Sequence, residues 1–242
     1  MPEEFEGDLS GAVFWGAELR GALFRDVDLT GARITHAVVC DVDVDALVER
    51  LVVNGVDVTD YVNERDRWYP LRTMLRPNEP DEVRSAWAAF DSAWAATVHE
   101  ARRLPDAALH TQVDGEWSFV ETVRHLVFAT DKWFTVPILG GEFHPLGLPN
   151  TGSRDVGWPG LELDADPTTD EALAAWADRW NRFGNHARRL ATPEQGMMQV
   201  MENGELPRAW SAHVVFEELF WHNRYATRDL AVLAGRKDPL NP

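Results

Sequence analysis

Residues 208–233 read RAWSAHVVFEELFWHNRYATRDLAVL. The stretch is apolar on almost every side of a helical wheel, no proline interrupts it, and Gly235 and Pro239 follow it. That pattern predicts one long helix with a glycine stop. Its apolar girth predicts enclosure by other helices rather than a surface position. One polar line breaks the girth: Glu218, His222, Tyr225 and Asp229 continue the row of Val215. Glu218 and His222 lie about 40° apart around the axis and about 6 Å apart along it, so both can reach one point. Buried carboxylate and imidazole groups need partners. A metal ion is one partner; an ordinary i,i+4 surface pair is the other reading.

Three further helices are expected upstream. Asp81 to Leu104 is rich in Ala and Trp, with Asp81 as N-cap and Pro105 past its end. Trp117 to Leu139 opens on a capping box of Ser118 and Glu121. Thr168 or Thr169 starts a helix that runs to Leu190. The connections are a Gly/Pro-rich loop over 140–167 and a second loop over 192–207 with a turn at Asn203-Gly204. Four long helices joined in this way predict a four-helix bundle. A third metal ligand has to come from another helix. His213 sits about 180° around the helix from His222 and cannot share its site. His125 is mid-helix in WSFVETVRHLVFATDKW. Val120, Val123, Val127 and Phe134 lie opposite it, whereas Trp117, Leu126, Phe128 and Trp133 flank it. From these residues alone His125 reads as a core histidine, an exposed one or a ligand. His144, in the long loop, could reach a site; His36, His99, His186 and His213 are given no role.

The first 46 residues repeat with period five: GDLSG, AVFWG, AELRG, ALFRD, VDLTG, ARITH, AVVCD, VDVDA. The central position holds Leu9, Phe14, Leu19, Phe24, Leu29, Ile34, Val39 and Val44, and small or β-branched residues stand two places earlier. Neither a helix nor a strand has this period; a square solenoid with one pentad per side does. The segment resembles the pentapeptide-repeat family, which implies a right-handed quadrilateral β-helix of two coils. Two coils need a cover. Residues 47–80 are its natural source: Leu51–Val53, Asn54-Gly55 and Val56–Val58 form a hairpin signal. A short helix from Asp57 or Thr59 toward Trp68 follows, then a linker marked by Pro70, Pro77 and Pro80. The organisation expected is thus 1–46 repeat, 47–80 cap and linker, and 81–242 bundle, mostly α with a small N-terminal β part.

Composition narrows the function. Forty acidic residues against 23 basic give a net charge of −17, which disfavours nucleic acid and anionic membrane surfaces as partners. No run is long and apolar enough to span a bilayer. MPEEFEGDLS is not a signal peptide, and the cytoplasm is expected. Cys40 is the sole cysteine, which excludes internal disulfides and multi-Cys metal sites.

The segment VDGEWSFVETVRHLVFATDKW resembles the second helix of the DinB-like superfamily, which includes mycothiol-dependent maleylpyruvate isomerases and related bacterial thiol S-transferases. Trp117, Ser118, Glu121 and His125 match its Trp-Ser-x-x-Glu lead-in and metal-binding His, and Glu218 with His222 match its Glu-x-x-x-His pair. The resemblance covers about 81–235 and implies a metal triad of His125, Glu218 and His222 in a four-helix bundle. It implies a divalent metal, zinc first and nickel or iron as alternatives. It also implies mycothiol as co-substrate, with a small-molecule electrophile as its partner in S-transfer or isomerisation. Tyr225, Asp229, Trp117 and Trp133 are expected as outer-layer or pocket residues. Arg224, Arg228 and Trp221 are weaker candidates, read chiefly as ion pairing and core packing. Two other readings stand beside this one: a hydrolase using metal-bound water, and a non-catalytic interaction module, since pentapeptide-repeat proteins include DNA mimics that bind topoisomerases. The repeat is read as a structural cap or an interface, against the helices or in a homodimer.

Overall fold

The computed structural model describes residues 5, 7–24, 27–201 and 205–236, and the chain divides into two compact units, Met1–Asp45 and Ala46–Pro242. In the first unit the backbone turns with the period of the sequence. Gly11, Gly16, Gly21, Gly31, His36 and Asp41 all have positive φ. Turn hydrogen bonds recur every ten residues: the N–H groups of Ala12, Ala22 and Ala32 donate to the carbonyls of Leu9, Leu19 and Leu29 at 3.0, 3.1 and 2.9 Å. An Asx contact recurs after twenty: Asp8 accepts from the Ser10 N–H and Asp28 from the Thr30 N–H. The expected β part is not expressed here as strands; none lies among the described residues of this unit. Its eight central apolar residues stay 47–81 % exposed. The physical reason is the shortness of the repeat, because a solenoid core is buried only between stacked neighbours.

The second unit opens with the expected hairpin. β1 (Val52–Val53) pairs antiparallel with β2 (Val56–Asp57). Asn54 and Gly55 both have positive φ, the requirement of a type I′ turn. α1 (Thr59–Asn63) follows. The stretch expected as a linker is more ordered than its prolines suggest. α2 (Tyr69–Arg72) takes Pro70 into its first turn. Trp68, Arg72 and Leu75 are buried, Trp68 edge-on to Phe220 at 6.3 Å.

Four long helical segments build the rest. α3 (Pro80–Ala101) starts on Glu79, not Asp81, through a capping box with Glu82, and Pro80 is its first residue rather than part of a linker. A short α4 (Asp106–Leu109) follows. α5 (Phe119–Thr130) begins with the expected Ser118–Glu121 box. It continues as a π-helical turn (Asp131–Thr135) and α6 (Val136–Leu139), and ends on left-handed Gly140. α7 (Thr169–Arg189) is boxed by Thr168 and Glu171. α8 (Ser211–Leu233) ends in a Schellman motif, with Arg236 N–H on the Ala231 carbonyl and Gly235 N–H on that of Val232. α3 packs on α7 and α8, and α5 packs on the same two. Phe90 stacks on Phe216 at 5.2 Å, and the Trp94 indole N–H donates to the Leu219 carbonyl at 3.1 Å. Burying such side chains contributes about 1.5–3 kcal/mol apiece.

The loop expected over 192–207 is corrected by the structure. It contains a 3-10 turn (Pro193–Gly196) and an antiparallel pair, β3 (Met197–Met201) with β4 (Glu205–Trp210). β4 runs to Trp210, so α8 starts three residues later than 208. The Asn203-Gly204 turn and Pro239 lie outside the described residues.

Candidate metal centre

α5 is buried along nearly its whole length, Glu121 alone being partly exposed. This resolves the ambiguity of His125: the apolar stripe on its far side and the aromatic residues beside it are both enclosed. α8 faces α5, and Glu218 and His222 project from adjacent turns of α8 toward His125. The three residues offer ligand atoms that all lie within 4.8 Å of one another. Both His125 Nε2 and His222 Nε2 stand 3.3 Å from the same carboxylate oxygen, Glu218 Oε2.

The remaining ring nitrogen of His125 decides the chemistry of the cluster. Nδ1 lies 2.9 Å from the carbonyl oxygen of Leu148. A carbonyl only accepts, so Nδ1 carries the hydrogen, and in the neutral ring Nε2 presents a lone pair to the carboxylate. A lone pair 3.3 Å from an anionic oxygen repels it unless a cation, a proton or a metal ion, lies between them. The spacing suits a metal: tetrahedral ligands about 2.0–2.1 Å from zinc stand about 3.3 Å from each other. The outer hydrogen bond from Nδ1 is also the usual support of a ligating imidazole. Burial alone would raise the Glu218 pKa. The close approach of the His125 and His222 ring nitrogens outweighs it and holds the carboxyl well below the usual carboxylate range. Burial lowers the His222 pKa despite the neighbouring carboxylate. An anionic carboxylate beside a neutral imidazole is a donor set ready for a divalent cation.

Trp117 covers the pair of imidazoles, its ring 4.6 Å from His125 and stacked on His222 at 6.0 Å. Tyr225 meets His222 edge-on at 6.4 Å and is partly exposed. Asp229 is buried and takes the Arg228 Nε–H at 2.7 Å; Arg228 also pairs with Glu116. Burial pushes the Asp229 carboxyl up even so. Trp133, the other aromatic expected at a pocket, stands in the π-helical turn. It lies eight residues, about 12 Å, along the helix from His125, packed against the core with Lys132 over its ring. Trp221 sits under Arg224 and beside Phe220. His144 is used within its own loop, where Nδ1 accepts the Leu146 N–H at 3.1 Å.

Two contributors were not visible in the sequence reading. One is the Leu148 carbonyl, which leaves no trace in residue type. The other is Arg124, an arginine inside an otherwise buried helix turn, and that oddity was the available signal.

Residues 89–226 match the DinB superfamily, and residues 8–43 match pentapeptide repeats in eight copies. No curated protein and no solved structure matches the chain. Among the described residues no helix is long and apolar enough to cross a membrane.

Proposed function

The chain belongs to the DinB superfamily, and on that premise we propose that His125, Glu218 and His222 bind a divalent cation, zinc first, for thiol-dependent transfer or isomerisation. The observation that carries this reading is the pair of 3.3 Å approaches of two imidazole nitrogens to one carboxylate oxygen, with the His125 Nδ1 hydrogen already committed to Leu148. Two imidazoles and one carboxylate leave a tetrahedral cation one open position, at which it lowers the proton affinity of a thiol or water. The sole cysteine, Cys40, belongs to the repeat, and the DinB reading takes an external thiol, with mycothiol the first candidate. Trp117 lies over both imidazoles and would give a bound co-substrate an aromatic wall. Tyr225 and Asp229 follow His222 along α8, and Arg228 ties Asp229 to Glu116, outside that helix; these groups would offer hydrogen bonds to a polar co-substrate. The helices are read as a DinB-type four-helix bundle. The repeat is read as two coils of a right-handed quadrilateral helix; the twenty-residue recurrence of the Asp8 contact at Asp28 supports four pentads per coil.

The test is elemental analysis of protein purified without chelator or His-tag, followed by calorimetric titration of mycothiol into zinc-loaded and metal-free samples. About one metal per chain and mycothiol binding to the loaded form alone are expected. No metal, and none taken up from added zinc or nickel, would overturn the reading. Metal with turnover of an ester or amide in the absence of any thiol would move the assignment to a hydrolase.

A further inference from the structure

Arg124 precedes the candidate ligand His125, yet its side chain makes no ion pair of its own among the described residues; it is spent on backbone. The buried guanidinium donates to four carbonyl oxygens of the 140–167 loop. Nε reaches Leu146 at 3.0 Å, Nη1 reaches Ala165 at 2.6 Å, and Nη2 reaches Glu162 at 3.2 Å and Leu163 at 3.3 Å. The same loop is joined to α5 by its backbone, the Leu148 N–H donating to the Arg124 carbonyl at 3.1 Å. The Leu148 carbonyl in turn takes the His125 Nδ1 hydrogen. Gly147 makes the approach possible. A Cβ there would stand 3.0 Å from Leu161 Cδ2, 3.2 Å from the His144 oxygen and 3.4 Å from the Phe128 Cα on α5.

We propose that Arg124 is the positioning residue of the metal centre: by gathering four loop carbonyls it seats the Leu148 peptide against α5, which fixes the tautomer and angle of the His125 imidazole. The inference rests on the metal reading above and names what sets the affinity of that site. A guanidinium suits the task because it is a planar fork with five donors and stays charged when buried. A lysine ammonium in its place has three donors and a single point charge, and cannot span the same carbonyls. Cation binding and loop order are then coupled, and the coupling is reciprocal: what orders the loop tightens the site, and a bound cation holds the loop.

The experiment is a zinc competition titration against a chromophoric chelator on the stripped full-length chain, for the wild type, Arg124→Met, Arg124→Lys and Gly147→Ala. Loss of an outer-layer partner weakens metal binding about 10- to 100-fold, and that is the expectation for Arg124→Met. Arg124→Lys should recover part of the loss, and Gly147→Ala should weaken binding in the same direction by a smaller factor. Zinc should also slow amide exchange at Leu148 in the wild type and do so less in Arg124→Met. A merely structural arginine would lower the melting temperatures of the apo and zinc-loaded forms equally; the clamp requires a smaller zinc-induced rise in the variant. If Arg124→Met does not fold, Gly147→Ala decides. Equal zinc affinity across all four proteins overturns the clamp alone. Refusal of zinc by the wild type overturns the metal reading and the clamp with it.

Discussion

The two units use apolar residues in opposite ways. In the first, an apolar side chain stands at the centre of every pentad, and Phe14 and Phe24 are still more than half exposed. In the second, Phe90, Phe134, Phe216 and Phe220 are fully enclosed, together with the polar groups Asp131 and Asn223. The difference is dimensional. A helix pair buries a stripe as soon as two helices meet, whereas a solenoid buries its column only when coils accumulate above and below. Burial also gives polar groups their leverage. The His125–Glu218–His222 cluster gains its electrostatics from the enclosure of α5 and α8, and no comparable pressure acts on His36 in the repeat.

The largest expected difference is therefore in metal content. Glu218→Gln or His222→Ala should take the protein from about one zinc per chain to nearly none, while His36→Ala leaves the content unchanged. Elemental analysis after dialysis against a weak chelator checks both. Retention of zinc by the Glu218 and His222 variants would mean that the cation is held elsewhere.

Next comes the same substitution in the two settings. Phe216→Ala removes a side chain with no exposed surface, and such truncations cost about 3–5 kcal/mol. Phe24→Ala, more than half exposed, should cost less than about 1 kcal/mol. Urea midpoints measure the pair. A loss at Phe24 as large as that at Phe216 would break the contrast and show that another surface, such as a second copy of the chain, covers the repeat in solution.

Much of this was legible in residue order, and the contrast explains which parts. The period of five and the hairpin at Asn54-Gly55 are local signals. So are the box at Ser118 and the helix start at Thr168, because each is set by neighbours within a few residues. The pairing of His125 with Glu218 and His222 needed a resemblance, since residues 93 positions apart in sequence carry no local mark of their meeting. The β3–β4 pair was read as loop because Pro207 argues against a strand, although Asn203-Gly204 is the same hairpin dipeptide as Asn54-Gly55. Arg72 and Leu75, past the helix expected to end near Trp68, were read as linker because Pro70, Pro77 and Pro80 outweighed them, yet both are buried. Leu148 could not be found at all: its function lies in a backbone carbonyl, which every residue type possesses.

A pH titration of the apo protein sharpens the account of the buried polar groups. Burial lowers the pKa of His186, His213 and His222. Unfolded histidines take up protons near pH 6.5, so on acidification the unfolded chain binds protons that the folded one resists. Stability is then full above about pH 6.5 and falls as the pH drops through the lowered folded values. Depression of the Glu218 pKa acts in the same direction at lower pH, below the ordinary carboxylate range. Urea midpoints between pH 7.5 and 5 should fall. Zinc should offset the fall in part at the upper end of that range and fail to do so at the lower end, as the imidazoles protonate. A flat profile would show that these histidines are solvated when the protein is in solution.

The smallest effects come from two glycines that are needed for different reasons. Gly21 turns the repeat with φ +73°, and a Cβ there would meet nothing within 4 Å. Alanine at that site suffers only the left-handed backbone penalty, about 1–2 kcal/mol. Gly184 has ordinary helical geometry in α7, but its Cβ would fall 2.5–2.6 Å from three atoms of the Trp87 indole on α3. Alanine gains up to about 1 kcal/mol of helix propensity there and loses about 1–3 kcal/mol to overpacking, so the net change is a small loss. The two costs are similar in size and separable by rescue. Gly21→Asn should recover most of the loss of Gly21→Ala, because asparagine accepts the left-handed region. Gly184→Ala should be relieved by Trp87→Phe, which takes away the ring atoms in the way. Relief of Gly184→Ala by a residue that only changes backbone preference would mean that α3 and α7 stand farther apart than the indole contact requires.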